Sequence, residues 1–304
     1  MFKDYKLIIA VIIVAIVWGT TFLAIRIAVE TIPGWFVAGI RQFLAGIVVL
    51  LLLLFQKKLR WVGWKNYSYQ LIFALLMLVM ANGLTTVAEE NVTSSLASLI
   101  SSSVPILVFL GSVAIGIQKF SIKALIGIAL CFLGILFIFW DGINDLANPK
   151  YRLGVIIMFC AVTGWASGII FTKKMNIKTQ DISLNMFYQF ISAGIIQIIF
   201  GFLFSKNYNF ENWSLASISA TVYLAIFGSV ITFFCFNYAL TKITPIQVSI
   251  LSYINTIIAI LLGWLVLDEK ISAKFIVAAA LIILGVFIIN YKKEYFKSNK
   301  LEVE

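Results

Sequence analysis

Long apolar blocks separated by short polar segments make up almost the whole chain. Each block is about 20 residues long, the length a helix needs to cross a hydrocarbon core about 30 Å thick, and is apolar on all faces. A transmembrane barrel would need short strands of alternating character, so helices are the predicted elements. The ten predicted membrane-spanning helices are residues 7–25, 34–55, 68–88, 95–116, 121–140, 153–171, 182–204, 216–240, 246–267 and 274–291. The segments between them average about ten residues, which leaves no room for a soluble domain.

Composition agrees with a membrane protein and argues against catalysis. Of the 304 residues, 62% are hydrophobic and 12% are charged, whereas about a quarter are charged in soluble domains. The chain has no histidine and three cysteines in separate blocks, so it lacks the clustered groups that metal sites and nucleophile relays need. We therefore predict no enzyme activity, no catalytic residue, no metal and no cofactor.

The basic residues predict the orientation in the membrane. The formal net charge is +10, and with a cytoplasmic N-terminus sixteen bases fall on the cytoplasmic side, six outside, and Arg41 within a helix. This positive-inside bias predicts a multi-pass protein of a bacterial-type inner membrane with both termini in the cytoplasm. Nucleic acid is not an expected partner because no polar domain carries a basic patch. No G-x-x-x-x-G-K-[ST] motif for ATP occurs in the chain.

The two halves of the chain repeat each other. A shift of 151 residues lays 88–139 over 239–290 without a gap, with fourteen of the 52 positions identical, including polar ones such as Ser98 with Ser249. Shared apolar composition alone is the competing explanation. A true repeat would contain five helices per half, and an odd number forces the halves into opposite orientations, with the substrate site where they meet. The predicted organisation is a first repeat at 1–140, an outward-facing linker at 141–152, a second repeat at 153–291 and a cytoplasmic tail at 292–304.

Several short motifs, in order along the chain, carry a family resemblance. They are Val17-Trp18-Gly19-Thr20-Thr21-Phe22, Pro33 followed by Arg41, an Ala/Ser-rich segment ending at Pro105, Asp268-Glu269-Lys270, and Gly285-Val286. In this pattern the chain resembles the drug/metabolite transporter superfamily, specifically the EamA-type ten-helix exporters. One departure is Gln118, which stands where the second half has Glu269. The resemblance implies export of amino acids, related metabolites or toxic compounds.

Two polar stripes occupy equivalent places in the repeats. They consist of Ser94, Ser98, Ser101 and Pro105 in the first half and Pro245, Ser249, Ser252 and Thr256 in the second. Small residues on one helix face suit close helix packing, but the same stripes also suit the walls of a wet central cavity. Tyr253 and Asn255 favour the cavity, because an amide in lipid is costly without partners.

A few further residues complete the candidate site. Asn82 lies well inside the third helix, and Trp18 and Trp165 occupy corresponding places in the first and sixth helices, deeper than an interfacial belt. The candidate substrate-binding residues are Trp18, Thr21, Asn82, Ser98, Ser101, Pro105, Trp165, Ser249, Tyr253 and Asn255.

The charged residues near the helices are predicted to serve structure. Arg41 lies about 10 Å into its helix and is expected to pair with Glu89 or Glu90 on the same side of the membrane. Glu269 is expected to anchor a helix end through a neighbouring lysine. With every carboxylate at a helix end, we expect a neutral cavity and a facilitator or exchanger without a proton carrier.

The function predicted from these features is secondary transport of small organic solutes by alternating access around a central cavity, with the solute and the lipid bilayer as partners. Two other classes stay open at this point. A membrane-embedded enzyme acting on lipid-linked substrates would need clustered acids or histidines at one membrane face. A scaffold without transport activity would be expected to carry a sizeable loop or tail domain.

Overall fold

The computed structural model describes residues 4–138, 140, 147–175, 181–205, 209–257 and 273–290. Throughout these residues the secondary structure is helical, without strands. The helices are α1 (Tyr5–Ala28), α2 (Gly34–Phe55), α3 (Trp64–Ala88), α4 (Ser94–Ser101 and Val104–Ala114), α5 (Ile122–Ile138), α6 (Arg152–Lys174), α7 (Ile182–Phe204), α8 (Leu215–Lys242), α9 (Pro245–Ser249 and 251–257) and α10 (Ala273–Asn290). Among the described helices, seven are long and apolar enough to cross a membrane, while α5 and α10 are shorter apolar helices.

The helices are apolar on all faces because most have a packed side and a lipid-facing side. In α1, Ile9, Ile12, Ile16 and Leu23 stay exposed, at spacings that place them on one face. Val14 and Ala28 on the other side are fully buried.

Polar side chains fix where helices begin. The Asp4 carboxylate accepts a hydrogen bond from the Leu7 N–H at 3.2 Å, and Thr244 and Gln247 form a capping box at the start of α9.

Helix packing follows a two-fold pattern that relates the halves. α2 packs along α7 and α5 along α10, and each pair maps onto itself when the halves are exchanged. α1 packs on α8, and its counterpart α6 packs on α3. Glycine allows the close approach of α2 and α7: a Cβ on Gly39 would lie 2.7 Å from the backbone nitrogen of Ile198, and one on Gly194 would lie 2.7 Å from that of Phe43. The predicted fold of ten helices in two inverted five-helix repeats is confirmed.

Two pairs of repeat-related helices depart from regular α-helix. α3 is π-helical over Ala74–Gly83 and α8 over Leu224–Ile231, segments that correspond at the 151-residue shift. α4 is interrupted at Ser102–Ser103 and α9 at Ile250. Such irregular backbone is tolerated at membrane depth where it is buried in protein or lines a cavity.

Candidate functional site

A central cavity lies between the two repeats. We call the membrane face where α1 begins the proximal face and the face where α1 ends the distal face. The cavity encloses about 880 Å³ of space, including the part continuous with solvent, and its walls come from α1, α2, α3, α4, α6, α8 and α9. The lining extends from Val248 and Ser249, in the first turns of α9 on the proximal side, to Ile25 and Thr85 near the distal ends of their helices, with Trp18 between them.

Eight of the ten residues proposed from the sequence line this cavity. They are Trp18, Thr21, Asn82, Ser98, Ser101, Trp165, Ser249 and Asn255. The two polar stripes meet across it, since the hydroxyl oxygens of Ser98 and Thr256 are 3.1 Å apart.

Pro105 and Tyr253 do not line the cavity. Pro105 is buried in the packing, because the interruption at Ser102–Ser103 changes the helical phase on which its alignment with Ser98 and Ser101 depended. Tyr253 follows Ser252 by one residue, about 100° around the helix, so it faces the protein interior and is completely buried. Its hydroxyl has no hydrogen-bond partner within the described part of the chain.

Aromatic rings form the proximal floor of the cavity. The rings of Trp18 and Trp165 meet edge to face with centroids 5.1 Å apart. Phe233 and Phe236 pack against both rings, with centroids 5.2 to 6.0 Å from them. Sequence reasoning missed these two phenylalanines, because phenylalanine is common in any apolar helix. The repeat carried a signal for them: at the 151-residue shift they correspond to Asn82 and Thr85, which also line the cavity.

The polar groups of the walls differ in how they are satisfied. The hydroxyls of Thr21 and Ser249 donate to carbonyls of their own helices, at 2.8 and 2.9 Å. In contrast, the Oδ1 atoms of Asn82 and Asn255 are buried and accept no hydrogen bond from any described residue. Two amide oxygens on opposite repeats therefore lie buried in residues of the cavity wall without a described partner, and a shift of these side chains would present them to a donor inside the cavity.

Arg41 places a positive charge on the cavity wall. It is 1% exposed, and its Nε donates to the Ser229 hydroxyl at 2.8 Å while its Nη2 donates to the Gly228 carbonyl at 3.1 Å. Both acceptors belong to the π-helical segment of α8. The expectation of a neutral cavity is therefore wrong, because this side chain extends from α2 across to α8 and lines the cavity on the way.

The carboxylates assigned to structural pairing have separate roles. Glu89 is completely buried and interacts electrostatically with Arg41. Glu90 instead accepts a hydrogen bond from the Gly34 N–H at the start of α2. Desolvation raises the pKa of Glu90 above its ordinary value, and this hydrogen bond partly opposes the rise. Glu269 lies outside the described residues.

Both halves of the chain match one family of sequences. The sequence model of the EamA-like transporter family matches residues 5–140 and again residues 152–291. The chain belongs to the EamA-like transporter family. The predicted membership of the drug/metabolite transporter type is thereby confirmed.

Named relatives of this EamA-like transporter agree with a membrane transporter. It is 28% identical over 92% of its length to the uncharacterized inner membrane transporter YedA of Escherichia coli (strain K12), covering 89% of that protein. It is 24% identical over 93% of its length to the uncharacterized transporter YoaV of Bacillus subtilis (strain 168), covering 96% of it. Protein PagO of Salmonella typhimurium is 27% identical over 91% of this chain and 90% of its own. The EamA-like protein is thus a membrane transporter and not an enzyme.

A solved structure supports the fold. One crystal structure superimposes on this EamA-like transporter with a TM-score of 0.75 at 15% sequence identity, covering 94% of this chain and 97% of the other. At this identity the likeness bears on the fold alone.

Proposed function

We propose that this transporter is a secondary exporter of small organic solutes, chiefly amino acids and related metabolites, that alternates its central cavity between the two membrane faces. The observation that carries the proposal is the set of groups on the cavity wall. The Arg41 cation, two amide oxygens that accept no hydrogen bond from a described residue, and an aromatic floor surround one space.

This set suits a zwitterion with an apolar or aromatic side chain. The guanidinium of Arg41 matches a carboxylate, to which it can donate charge-assisted hydrogen bonds. The Oδ1 atoms of Asn82 and Asn255 match the donors of an ammonium group. The rings of Trp18 and Trp165 offer an apolar surface on the proximal side of the cavity. Toxic compounds of similar size and polarity belong to the same proposed class.

We further propose an inner-membrane location with both termini in the cytoplasm. YedA is named an inner membrane transporter, and the topology predicted from the sequence has sixteen bases on the cytoplasmic side against six outside. In this orientation the end of the cavity at Ile25 and Thr85 lies toward the outside, and the 141–152 linker joins repeats 1–140 and 153–291 outside the cell. Export then requires a second state in which the cavity opens to the cytoplasm.

Reconstitution tests the proposed function. Purified protein in proteoliposomes would be assayed for counterflow of radiolabelled phenylalanine, threonine, glutamate and lysine. We expect phenylalanine and threonine to exchange faster than lysine, because the described lining residues include Arg41 and no carboxylate to compensate a second ammonium group. Movement of no amino acid above protein-free liposomes would contradict the proposal. Faster movement of lysine than of phenylalanine would contradict the assigned role of Arg41.

A further inference from the structure

A second, smaller recess lies on the proximal side of the aromatic floor. It comprises about 270 Å³ of space between α3, α6, α7 and α8, including the part continuous with solvent, and none of its described lining residues also lines the central cavity. Its described polar lining residues are Gln70, Thr172, Asn185, Gln189 and Asn237.

The amide side chains of this recess are almost completely buried in the protein. Gln70, Gln189 and Asn237 are 2%, 4% and 8% exposed. Gln189 Nε2 donates to Gln70 Oε1 at 2.6 Å, but Gln189 Oε1 is buried without a hydrogen-bond partner among the described residues. Burying an amide oxygen without a hydrogen-bond partner destabilises the folded protein. A group that binds there only in another state of the protein would explain this arrangement.

One aromatic layer separates the recess from the central cavity. Phe233 lines the central cavity, and Asn237, one helical turn further along α8, lines the recess. Asn237 Nδ2 donates to the Phe233 carbonyl at 2.8 Å. Phe190 packs edge to face on Phe233 with centroids 5.7 Å apart. Displacement of these rings would join the two spaces into one path.

The helices around the recess correspond, in the other repeat, to the helices around the distal part of the cavity. That distal part lies between α1, α2 and α3, where Arg41 of α2 binds α8. The recess lies against the corresponding helices α6, α7 and α8, where Gln189 of α7 binds α3. In inverted repeats the opposite-facing state arises when the two halves exchange their arrangements. The recess therefore stands where a proximal opening would form.

We propose that this recess is the proximal half of the solute path, where Gln70, Gln189 and Asn237 bind neutral or ammonium groups of the solute. This inference rests on the proposed transport function. The described lining residues of the recess are uncharged, whereas Arg41 lines the central cavity. A solute carboxylate is therefore held on the Arg41 side, while the amides receive its hydrogen-bond donors.

Matched glutamine variants test by transport whether the recess is the proximal half of the solute path, which we call the half-site. The probe is radiolabelled L-phenylalanine in proteoliposome counterflow. Replacing one glutamine would leave its partner unpaired, so the informative variant is the double change Gln70→Leu with Gln189→Leu, which removes both polar groups at similar volume. Gln42→Leu is the control, because Gln42 is equally buried, lines neither space and has no hydrogen-bond partner within the described part of the chain. We expect at least a tenfold loss of exchange in the double variant, an unchanged melting temperature, and near-normal exchange in the control.

Thiol labelling provides a readout that does not depend on transport rate. Asn185→Cys in a background without the three native cysteines would be treated with a membrane-impermeant maleimide from the proximal face. We expect phenylalanine to change its labelling rate at least twofold and to leave Ser68→Cys, an exposed proximal position outside the recess, unaffected. Wild-type exchange by the double variant would overturn the half-site and leave the proposed function intact. Failure of the wild type to move any amino acid would overturn both.

Discussion

Arg41 of α2 and Gly228 of α8 are joined by a hydrogen bond across the repeat interface. Arg41 Nη2 lies 3.1 Å from the Gly228 carbonyl oxygen, which also accepts from the Trp18 indole N–H at 3.4 Å. The π-helical turn of α8 thus receives donors from two helices of the other repeat. In the corresponding pair of helices, α7 and α3, Gln197 donates to the Leu78 carbonyl in the π-helical segment of α3 at 2.7 Å. The cation is present in only one of the two related places.

Replacement of Arg41 by Lys should impair transport of carboxylate solutes. A lysine keeps the charge but cannot donate to Ser229 and Gly228 with the planar geometry of the guanidinium. We expect a loss of phenylalanine exchange of about tenfold or more, equivalent to about 1.4 kcal/mol. Exchange of phenylalaninamide, which lacks the carboxylate, is the control and should change less. Equal losses for both solutes would show that Arg41 acts on structure and not on the solute.

Removal of the aromatic floor should impair transport more than removal of interfacial rings. Trp18→Ala and Trp165→Ala each take away a ring that lines the cavity, so we expect at least a fivefold loss of phenylalanine exchange. Trp61→Ala is the control, since Trp61 is half exposed and packs on Trp64 near the proximal face. The measurement is counterflow normalised to inserted protein. Normal exchange by both cavity variants would contradict the assignment of the floor.

Tyr253→Phe should leave transport unchanged and preserve or increase stability. The Tyr253 hydroxyl is buried without a partner among the described residues, and its removal relieves a cost of about 1–3 kcal/mol. We expect a melting temperature in detergent equal to or above that of the wild type, with unchanged exchange. A marked loss of exchange in a folded Tyr253→Phe protein would show that the Tyr253 hydroxyl takes part in transport.

Transport is expected to be independent of a proton gradient. That expectation now rests on the electrostatic interaction of Glu89 with Arg41, since protonating this carboxylate would leave a buried guanidinium without its counter-charge. Phenylalanine uptake should therefore be equal with and without an imposed gradient. If the gradient accelerates uptake, and Glu89→Gln abolishes the acceleration while exchange persists, Glu89 carries the proton.

The proximal face should be cytoplasmic. Cysteines at Gln56, just after α2, and at Asn212, between α7 and α8, occupy exposed positions on opposite faces. In intact cells expressing a variant without native cysteines, an impermeant thiol reagent should label Asn212→Cys and not Gln56→Cys. The reverse pattern would invert the proposed topology and the direction in which the described cavity faces.

The sequence predicted the parts of this protein that depend on local composition and periodicity. Blocks of about twenty apolar residues require membrane helices, because backbone groups in lipid must pair within the segment. The 151-residue repeat with five helices per half predicted inversion, and the serine spacing placed Ser98 and Ser249 on the cavity wall. These features need no knowledge of which helices touch.

Only the tertiary structure decided which side chains share the cavity and which polar groups find partners. Pro105 and Tyr253 do not line the cavity as predicted. The interruptions of α4 and α9, and the direction in which each residue points around its helix, are set by packing against other helices. Phe233 and Phe236 entered the lining because α8 turns them toward Trp18 and Trp165. The Arg41 guanidinium lies on the cavity wall because α2 packs close enough to α8 for this long side chain to reach Gly228. Composition cannot reveal these contacts, since apolar helices are nearly uniform in sequence and their neighbours are chosen by shape complementarity across the whole bundle.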